Sequence, residues 1–314
     1  MNSDSACPEP ALPATYGGPG FVSRSADHGQ DVAGGLLWRR VGVSSEWGRL
    51  REVVLSAPSV LLDKIEDPER WHMLARPDRA AIAAEVQTLA RVYASEGIGV
   101  HVARPGMAPP PNFLFMRDLV FTTPWGCVVG RPAAPVRAGE SRFAQGILAE
   151  LGVPLLGVPT GGATFEGADA LWLDAQTVLV GVGRRTNDEG CAWLARLLAD
   201  QGVRVVPIPL PLGVQHLLGI VVFVDRDLAL IDVARAPDVL LDTLKDHELV
   251  GLQPSVELRE KRSMNVVTLG PRRVVMPAGC PDTRRTLEAA GIVVRESPMS
   301  ACRAAAGAMG CMTA

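Results

Sequence analysis

Tyr93-Ala-Ser-Glu-Gly97-Ile-Gly-Val-His-Val102 reads as the end of a helix, a glycine, and a short run of strand-forming residues. The phrase returns as Leu148-Ala-Glu-Leu-Gly152-Val-Pro-Leu, Leu198-Ala-Asp-Gln-Gly202-Val-Arg-Val-Val206 and Leu287-Glu-Ala-Ala-Gly291-Ile-Val-Val294. Each glycine suits the position just past a helix, where the backbone turns left-handed before a strand. The phrases recur roughly every fifty residues, and the last interval spans about two periods. Leu244-Lys-Asp-His-Glu-Leu249 stands between as a degenerate copy, which makes five units. Paired strand signals precede the later helices: Ala170–Leu173 with Val178–Gly181, Gly219–Val224 with Leu228–Asp232, and Asn265–Leu269 with Arg273–Met276. The repeating unit is therefore ββαβ. Units of this size cannot bury their apolar faces alone and pack around a shared axis, so the expected class is α/β with five units around a central pocket. A doubly wound sheet is the competing α/β reading, but it expects one strand per helix and a glycine-rich phosphate loop. Gly181-Val-Gly183-Arg-Arg-Thr comes nearest and lacks the third glycine.

Composition narrows the functional classes. The 314 residues are 47% hydrophobic with a net charge of −3, enough apolar material for a sizeable core and no basic stripe to hold nucleic acid. Six cysteines at 7, 127, 191, 280, 302 and 311 form no C-x-x-C pair, which argues against a zinc site and a disulfide scaffold. A reducing cytoplasm is the simplest home. Met1 to Pro10 carries acids and prolines and does not read as a signal peptide, and no apolar run reaches the ~20 residues that span a bilayer. Residues 1–35 are rich in Gly, Pro, Ser and Ala without periodicity and read as a mobile leader, leaving 36–314 as one domain.

Three segments place charge where local propensity prefers otherwise. Phe113-Leu-Phe-Met116 reads as a strand that ends abruptly in Arg117-Asp118. Phe165-Glu166-Gly-Ala-Asp169 sets two acids around small residues at a strand entrance, and Val214-Gln-His216-Leu-Leu218 puts a lone histidine before an apolar strand. Such acids either line an axial pocket or serve as turn and cap residues, and for Asp169 both readings stay open. A lone histidine is more often a satisfied core or surface residue than a catalyst. Near the other end, Met309-Gly-Cys311-Met-Thr313 follows the small-residue run Ala304-Ala-Ala-Gly307. Chain ends normally fray, so a cysteine there has chemical value only if the tail is docked.

Together, Phe115-Met-Arg-Asp118, Glu166-Gly-Ala-Asp169, Arg185-Thr-Asn187, His216-Leu217 and Gly310-Cys311-Met-Thr resemble the guanidine-modifying superfamily of arginine deiminases, dimethylarginine dimethylaminohydrolases and amidinotransferases. The resemblance runs from about Glu46 to Thr313, and Arg272–Gly279 with Pro281–Arg284 looks most like the dimethylarginine hydrolases. It implies the pentein fold, a five-bladed α/β propeller, in agreement with the repeat count. It implies Cys311 as nucleophile, His216 as general acid and base, and Glu166 and Asp118 as the carboxylates that hold the guanidinium. Asp169 supports Glu166, while Arg137 and Arg185 align with arginines that grip a substrate carboxylate. Arg117 is either part of this set or a structural partner to an acid. Asn187, followed by Asp188-Glu189, reads as a helix N-cap.

These residue types suit the chemistry. A guanidinium carbon accepts a nucleophile only when positive charge is localised on it, and two hydrogen-bonded carboxylates fix and polarise the cation. The cation in turn favours the thiolate. No metal or other cofactor is needed, and the partner is a small-molecule guanidine, with no nucleic acid or membrane; a homodimer is left open. Two departures bear on the substrate. Leu218 stands where deiminases and amidinotransferases carry an aspartate, and Asn112, carried over as a substrate contact, stands where the dimethylarginine hydrolases place an acid. Ala301, where relatives often have glutamate, bears on how the tail docks.

The leading reading is a C–N hydrolase acting on arginine or an N-methylated arginine, giving citrulline and ammonia or an alkylamine. An amidinotransferase is the alternative within enzymes, and a macromolecule-binding pentein, like the ribosome anti-association factor, the alternative outside them. Val60–Pro77, with Lys64-Ile-Glu-Asp-Pro68 and Arg70-Trp-His72, carries few helix or strand signals and is the candidate lid.

Overall fold

The glycines of the repeated phrase hold the left-handed backbone that their position requires, with φ of 76° at Gly97, 70° at Gly152, 69° at Gly202 and 75° at Gly291. The computed structural model describes residues 12–314; Met1 to Pro10 and Cys7 lie outside the described residues. Within the stretch read as a leader, helix α1 (His28–Gly34) is closed by an Asp27–Gln30 capping box. Its Val32 is fully buried and His28 bonds the Trp125 carbonyl at 2.8 Å, so tertiary contacts begin before Leu36. A Gly- and Ser-rich composition hid a helix whose two cap residues lie three apart.

The first unit is β1 (Glu52–Ser56), helix α2 (Arg79–Ser95) and β2 (Gly99–Ala103), with β1 and β2 parallel. The second opens with the short helix α3 (Met116–Leu119), then β3 (Val120–Thr123), β4 (Gly126–Val129), α4 (Glu140–Glu150) and β5 (Leu155–Gly157). The third is β6 (Ala170–Asp174), β7 (Thr177–Val182), α5 (Asp188–Ala199) and β8 (Arg204–Pro209). The fourth is β9 (Val221–Asp225), β10 (Leu228–Asp232), α6 (Asp238–Thr243) and β11 (Glu248–Leu252). After α7 (Val256–Arg259) the fifth is β12 (Val267–Gly270), β13 (Arg273–Pro277), α8 (Pro281–Ala289) and β14 (Val293–Ser297), and the tail carries α9 (Ser300–Ala304) and α10 (Met309–Met312). In units two to five the middle strand pairs antiparallel with the strand before it and parallel with the strand after the helix. The result is five small sheets among the described residues, in a mixed α/β fold.

The first sheet has two strands where the others have three, and the tail completes it. Val54 and Ala314 exchange both backbone hydrogen bonds, at 2.7 and 3.1 Å, an antiparallel pair on the free edge of β1. Tyr93 of α2 bonds Thr313 Oγ1 at 2.7 Å. Glu85, also on α2 and buried, accepts from Ser300 Oγ and from the Ala301 and Cys302 amides at 2.9–3.0 Å, capping α9 from another element. A carboxylate therefore meets the tail beside position 301 even though Ala301 has none. The apolar faces of the units meet in buried clusters, such as Phe223, Leu230 and Val274 between units four and five, and each such side chain contributes about 1.5–3 kcal/mol.

One expected element is different. Phe113–Met116 is not a strand: Pro111–Leu114 forms a 3-10 turn that leads into α3. Phe113, Leu114, Phe115 and Met116 are all at most 5% exposed, and a run of apolar residues buried on every side looks the same as strand or helix in sequence.

Glu85→Ala strips three donors of a buried acceptor and should lower the unfolding free energy by about 3 kcal/mol. Urea denaturation measures it, and an unchanged midpoint would show that water caps α9 equally well.

Candidate active site

Two turns bring the acids together. Helix α3 buries Asp118 at 1% exposure, and the 3-10 turn Gly167–Asp169 puts Glu166 and Asp169, both fully buried, at the entrance of β6. Gly167 is what lets them meet: a Cβ there would lie 2.6 Å from the Arg117 and Val120 carbonyl oxygens. His216 precedes β9, and Cys311 sits in α10, which packs on α3. Gly307 is tight against the Phe115 ring and leaves no room for a side chain, so the tail lies close on this helix.

His216 Nε2 lies 2.7 Å from Glu166 Oε2, and its Nδ1 is 3.8 Å from Asp118 Oδ1. Burial disfavours the imidazolium, but Asp118, Asp169 and Glu166 outweigh it and raise the His216 pKa to about 9. Glu166 is held well below the ordinary carboxylate range: burial opposes this, and His216, Arg137 and Arg185 prevail. Asp169 is pushed up to about 7 by burial, although Thr186 Oγ1 donates to it at 2.7 Å and the Leu217 amide at 3.0 Å. The Cys311 thiol is raised by burial and then by the charge of Asp118, while the Asn265 side chain, 3.3 Å from Sγ, works the other way.

The structure therefore brings Cys311, His216, Glu166, Asp118 and Asp169 into one neighbourhood, and Arg185 joins them with Nη1 3.5 Å from Glu166 Oε1. Arg137 is different. It is 2% exposed and fully engaged by acids, with Glu140 on Nε and Nη2 and Asp118 at 2.6 Å on Nη1, so it has no free face for a substrate carboxylate. The resemblance implied an arginine that grips a substrate carboxylate; the fold instead closes Glu140, three residues on, and Asp118 onto it. Asn112 also turns from the acids: it is buried and gives its amide to the Trp71 carbonyl at 2.8 Å. Arg117 pairs with Glu46 and the Ala170 carbonyl, its structural alternative, and Asn187 caps α5 by accepting from Gly190 N at 2.8 Å. Leu218 is buried among apolar residues. Sequence reasoning missed Asn265, Glu140 and Thr186. Asn265 touches the tail twice, at Cys311 Sγ and by accepting from Gly310 N at 2.8 Å; its one sequence signal is an amide just before an apolar strand.

A family model described as arginine deiminase matches residues 97–241. A dimethylarginine dimethylaminohydrolase of Pseudomonas aeruginosa is 24% identical over 248 residues, covering 76% of this chain and 90% of its own. The chain is similar in sequence to arginine deiminases over just under half its length, and to a dimethylarginine dimethylaminohydrolase over most of it. A solved structure of the Pseudomonas aeruginosa enzyme complexed with citrulline superposes with a TM-score of 0.70 at 21% identity, over 84% of this chain and 98% of that one. The inosamine-phosphate amidinotransferase of Streptomyces griseus gives 0.71 at 20% identity, over 87% and 95%. These likenesses show that the superfamily's fold extends over most of the chain.

The polar atoms left without hydrogen bonds in this neighbourhood are informative. Among the described residues Asp118 Oδ1 and Arg185 Nη1 are buried with no hydrogen bond, one an acceptor and the other a donor. Asp118, Glu166 and His216 also offer ligand atoms within 4.8 Å of one another, a set that could hold a metal ion. The fit is poor, because Arg137 Nη1 already sits on Asp118 Oδ2 and His216 carries a proton up to about 9, so a further cation meets two positive groups.

With its pKa raised, Cys311 should react slowly with iodoacetamide at pH 7 and faster through pH 9 and above, followed by mass spectrometry of the tail peptide. Rapid labelling at pH 7 would show that a cation overrides the burial.

Proposed function

We propose that this protein hydrolyses a guanidino C–N bond of arginine or an N-methylated arginine, through a thiouronium on Cys311. The reading rests above all on two of the five buried polar atoms without hydrogen bonds among the described residues, the two that lie at the candidate site. Asp118 Oδ1 calls for a cationic N–H donor and Arg185 Nη1 for an acceptor such as a carboxylate, and an amino acid with a guanidinium end supplies both. The same reading treats the five sheets as blades of one propeller, with the acids and the tail at the central pocket.

In this scheme the guanidinium donates to Asp118 and Glu166, which localise charge on its carbon. Its positive charge offsets the burial that keeps Cys311 protonated, so the thiol gives its proton to solvent as substrate enters and the thiolate forms. Attack on the carbon gives a tetrahedral adduct. His216 enters as imidazolium, as its raised pKa requires, and gives its proton to the departing ammonia or alkylamine. The neutral imidazole then takes a proton from water, which attacks the thiouronium and releases citrulline and the thiol.

Access requires motion. Asp118, Glu166 and His216 are at most 4% exposed, and a cavity of 790 Å³ lined by Glu46, Arg117, Leu218, Phe223 and Ala314 includes none of them. Val60–Pro77 is the segment placed to open. It consists of two short 3-10 turns, Val60–Lys64 and Glu69–Trp71, and its His72 is pushed down by burial and by the charges of Arg185 and Arg137. Asn112 ties this lid at the Trp71 carbonyl, and the Leu74 and Ala75 amides tie it to Ala304 of α9. A site closed this well also favours the second reading, an amidinotransferase that keeps water from the thiouronium and passes the group to an amine. Incubation with arginine, monomethylarginine and asymmetric dimethylarginine, with and without glycine, separates the two by the mass of the products.

Cys311→Ser should abolish turnover and leave the fold intact, since an alcohol of far higher pKa replaces the thiol; activity near wild type would remove the mechanism. Glu166→Gln keeps the shape and removes one charge facing the cation, and should lower kcat by about 10²–10³-fold. Arg185→Ala should raise KM for arginine and matter much less for agmatine, which lacks the carboxylate; equal losses on both would cancel the carboxylate role.

A further inference from the structure

Arg137 is the most confined cation of the site. Its side chain is 3% exposed, and all three guanidinium nitrogens face acids. Glu140, fully buried on the first turn of α4, takes Nε and Nη2 in a two-pronged contact at 2.8–3.2 Å. That leaves Nη1, which lies 2.6 Å from Asp118 Oδ2 and 3.5 Å from Glu166 Oε2. The same Asp118 keeps its other oxygen buried without a hydrogen bond, with His216 Nδ1 3.8 Å away. A planar fork fixed on one side by Glu140 thus dictates which oxygen of Asp118 is engaged and which is presented.

We infer that Arg137, pinned by Glu140, is a positioning residue of the guanidinium clamp: it takes Asp118 Oδ2 so that Oδ1 faces the substrate, and does not grip a substrate carboxylate. The inference rests on the reading of Asp118 and Glu166 as that clamp. Its electrostatic side follows from charge count. Without Arg137, Asp118 and Glu166 would share one buried neighbourhood with only His216 and Arg185 opposing them, and Asp118, no longer paired with a guanidinium, would act more strongly on Cys311. The other groups that act on Cys311 are Arg262 and Asn265 before β12, and its own charge acts on Cys302 of α9; none of them is altered by a change at 137.

Two measurements test this on the full chain, with Arg137→Lys and Arg137→Gln checked for folding by circular dichroism. The first is turnover of arginine and agmatine. Lysine keeps the charge but cannot hold Glu140 and Asp118 in one fork, so kcat/KM should fall at least about tenfold, by similar factors on both substrates. A loss confined to arginine would make Arg137 a carboxylate grip and overturn the inference, as would no loss at all. The second needs no turnover: the pH dependence of Cys311 alkylation by iodoacetamide. Arg137→Gln should move it up by about one pH unit, and Arg137→Lys by less; a profile identical to wild type in Arg137→Gln overturns the inference. If wild type turns over neither guanidine, the proposed function fails, and the alkylation profile still decides the role of Arg137. Should Arg137→Gln not fold, Glu140→Gln keeps the shape of the pin and goes through the turnover measurement, where both substrates must again lose together.

Discussion

The site is governed by the cost of burying charge. Asp118, Glu140, Glu166 and Asp169 are each at most 1% exposed, and a lone carboxylate in such surroundings would take up a proton. Burial, helped by neighbouring carboxylates, pushes Glu140 and Asp169 up to about 7 against the pull of Arg137 on one and of His216 and two hydrogen bonds on the other. Glu166 stays ionised because His216, Arg137 and Arg185 surround it, and His216 stays protonated because the acids surround it. Each group's charge state depends on the others, most strongly on the hydrogen-bonded His216–Glu166 pair. The backbone answers the same demand: the Leu217 amide is spent on Asp169 and the Ala133 amide on Glu166.

This mutual dependence links fold to chemistry. The acids and their partners come from the second, third and fourth units, so the neighbourhood exists only when those units are packed. Cys311, the proposed nucleophile, comes from elsewhere, on a tail that completes the first sheet. Val54, Tyr93 and Glu85 hold that tail on one side, and Asn265 of the fifth unit holds it on the other. A chain end that would otherwise fray is fixed at four places, and the same contacts set Cys311 against α3. Closure of the fold and placement of the thiol are therefore one event.

The repeated helix-glycine-strand phrase was readable because its cause is local. A residue that leaves a helix left-handed is best a glycine whatever surrounds it, and an asparagine ahead of two acids caps a helix by bonding an amide three residues on. The paired strands of units three to five follow from the same short-range logic. The apolar run at Phe113–Met116 was misread because burial on all sides erases the period that separates strand from helix. Helix α1 was missed because a two-residue capping box outweighed a poor composition, and the docking on Trp125 that supports it lies far along the chain.

The candidate chemistry divides the same way. The sequence by itself determined the number of units and placed the candidate site residues at strand entrances and in the tail, because both depend on neighbours a few positions away. It could not determine whether Arg137 faces a substrate or an acid, whether Asn112 touches the site or the lid, or that Asn265 meets Cys311. Tertiary structure decided those, because hydrogen bonding and charge act through a few ångströms of space, and Asp118, Glu166 and His216, like Asn265 and Cys311, share those ångströms only after units distant in sequence have packed.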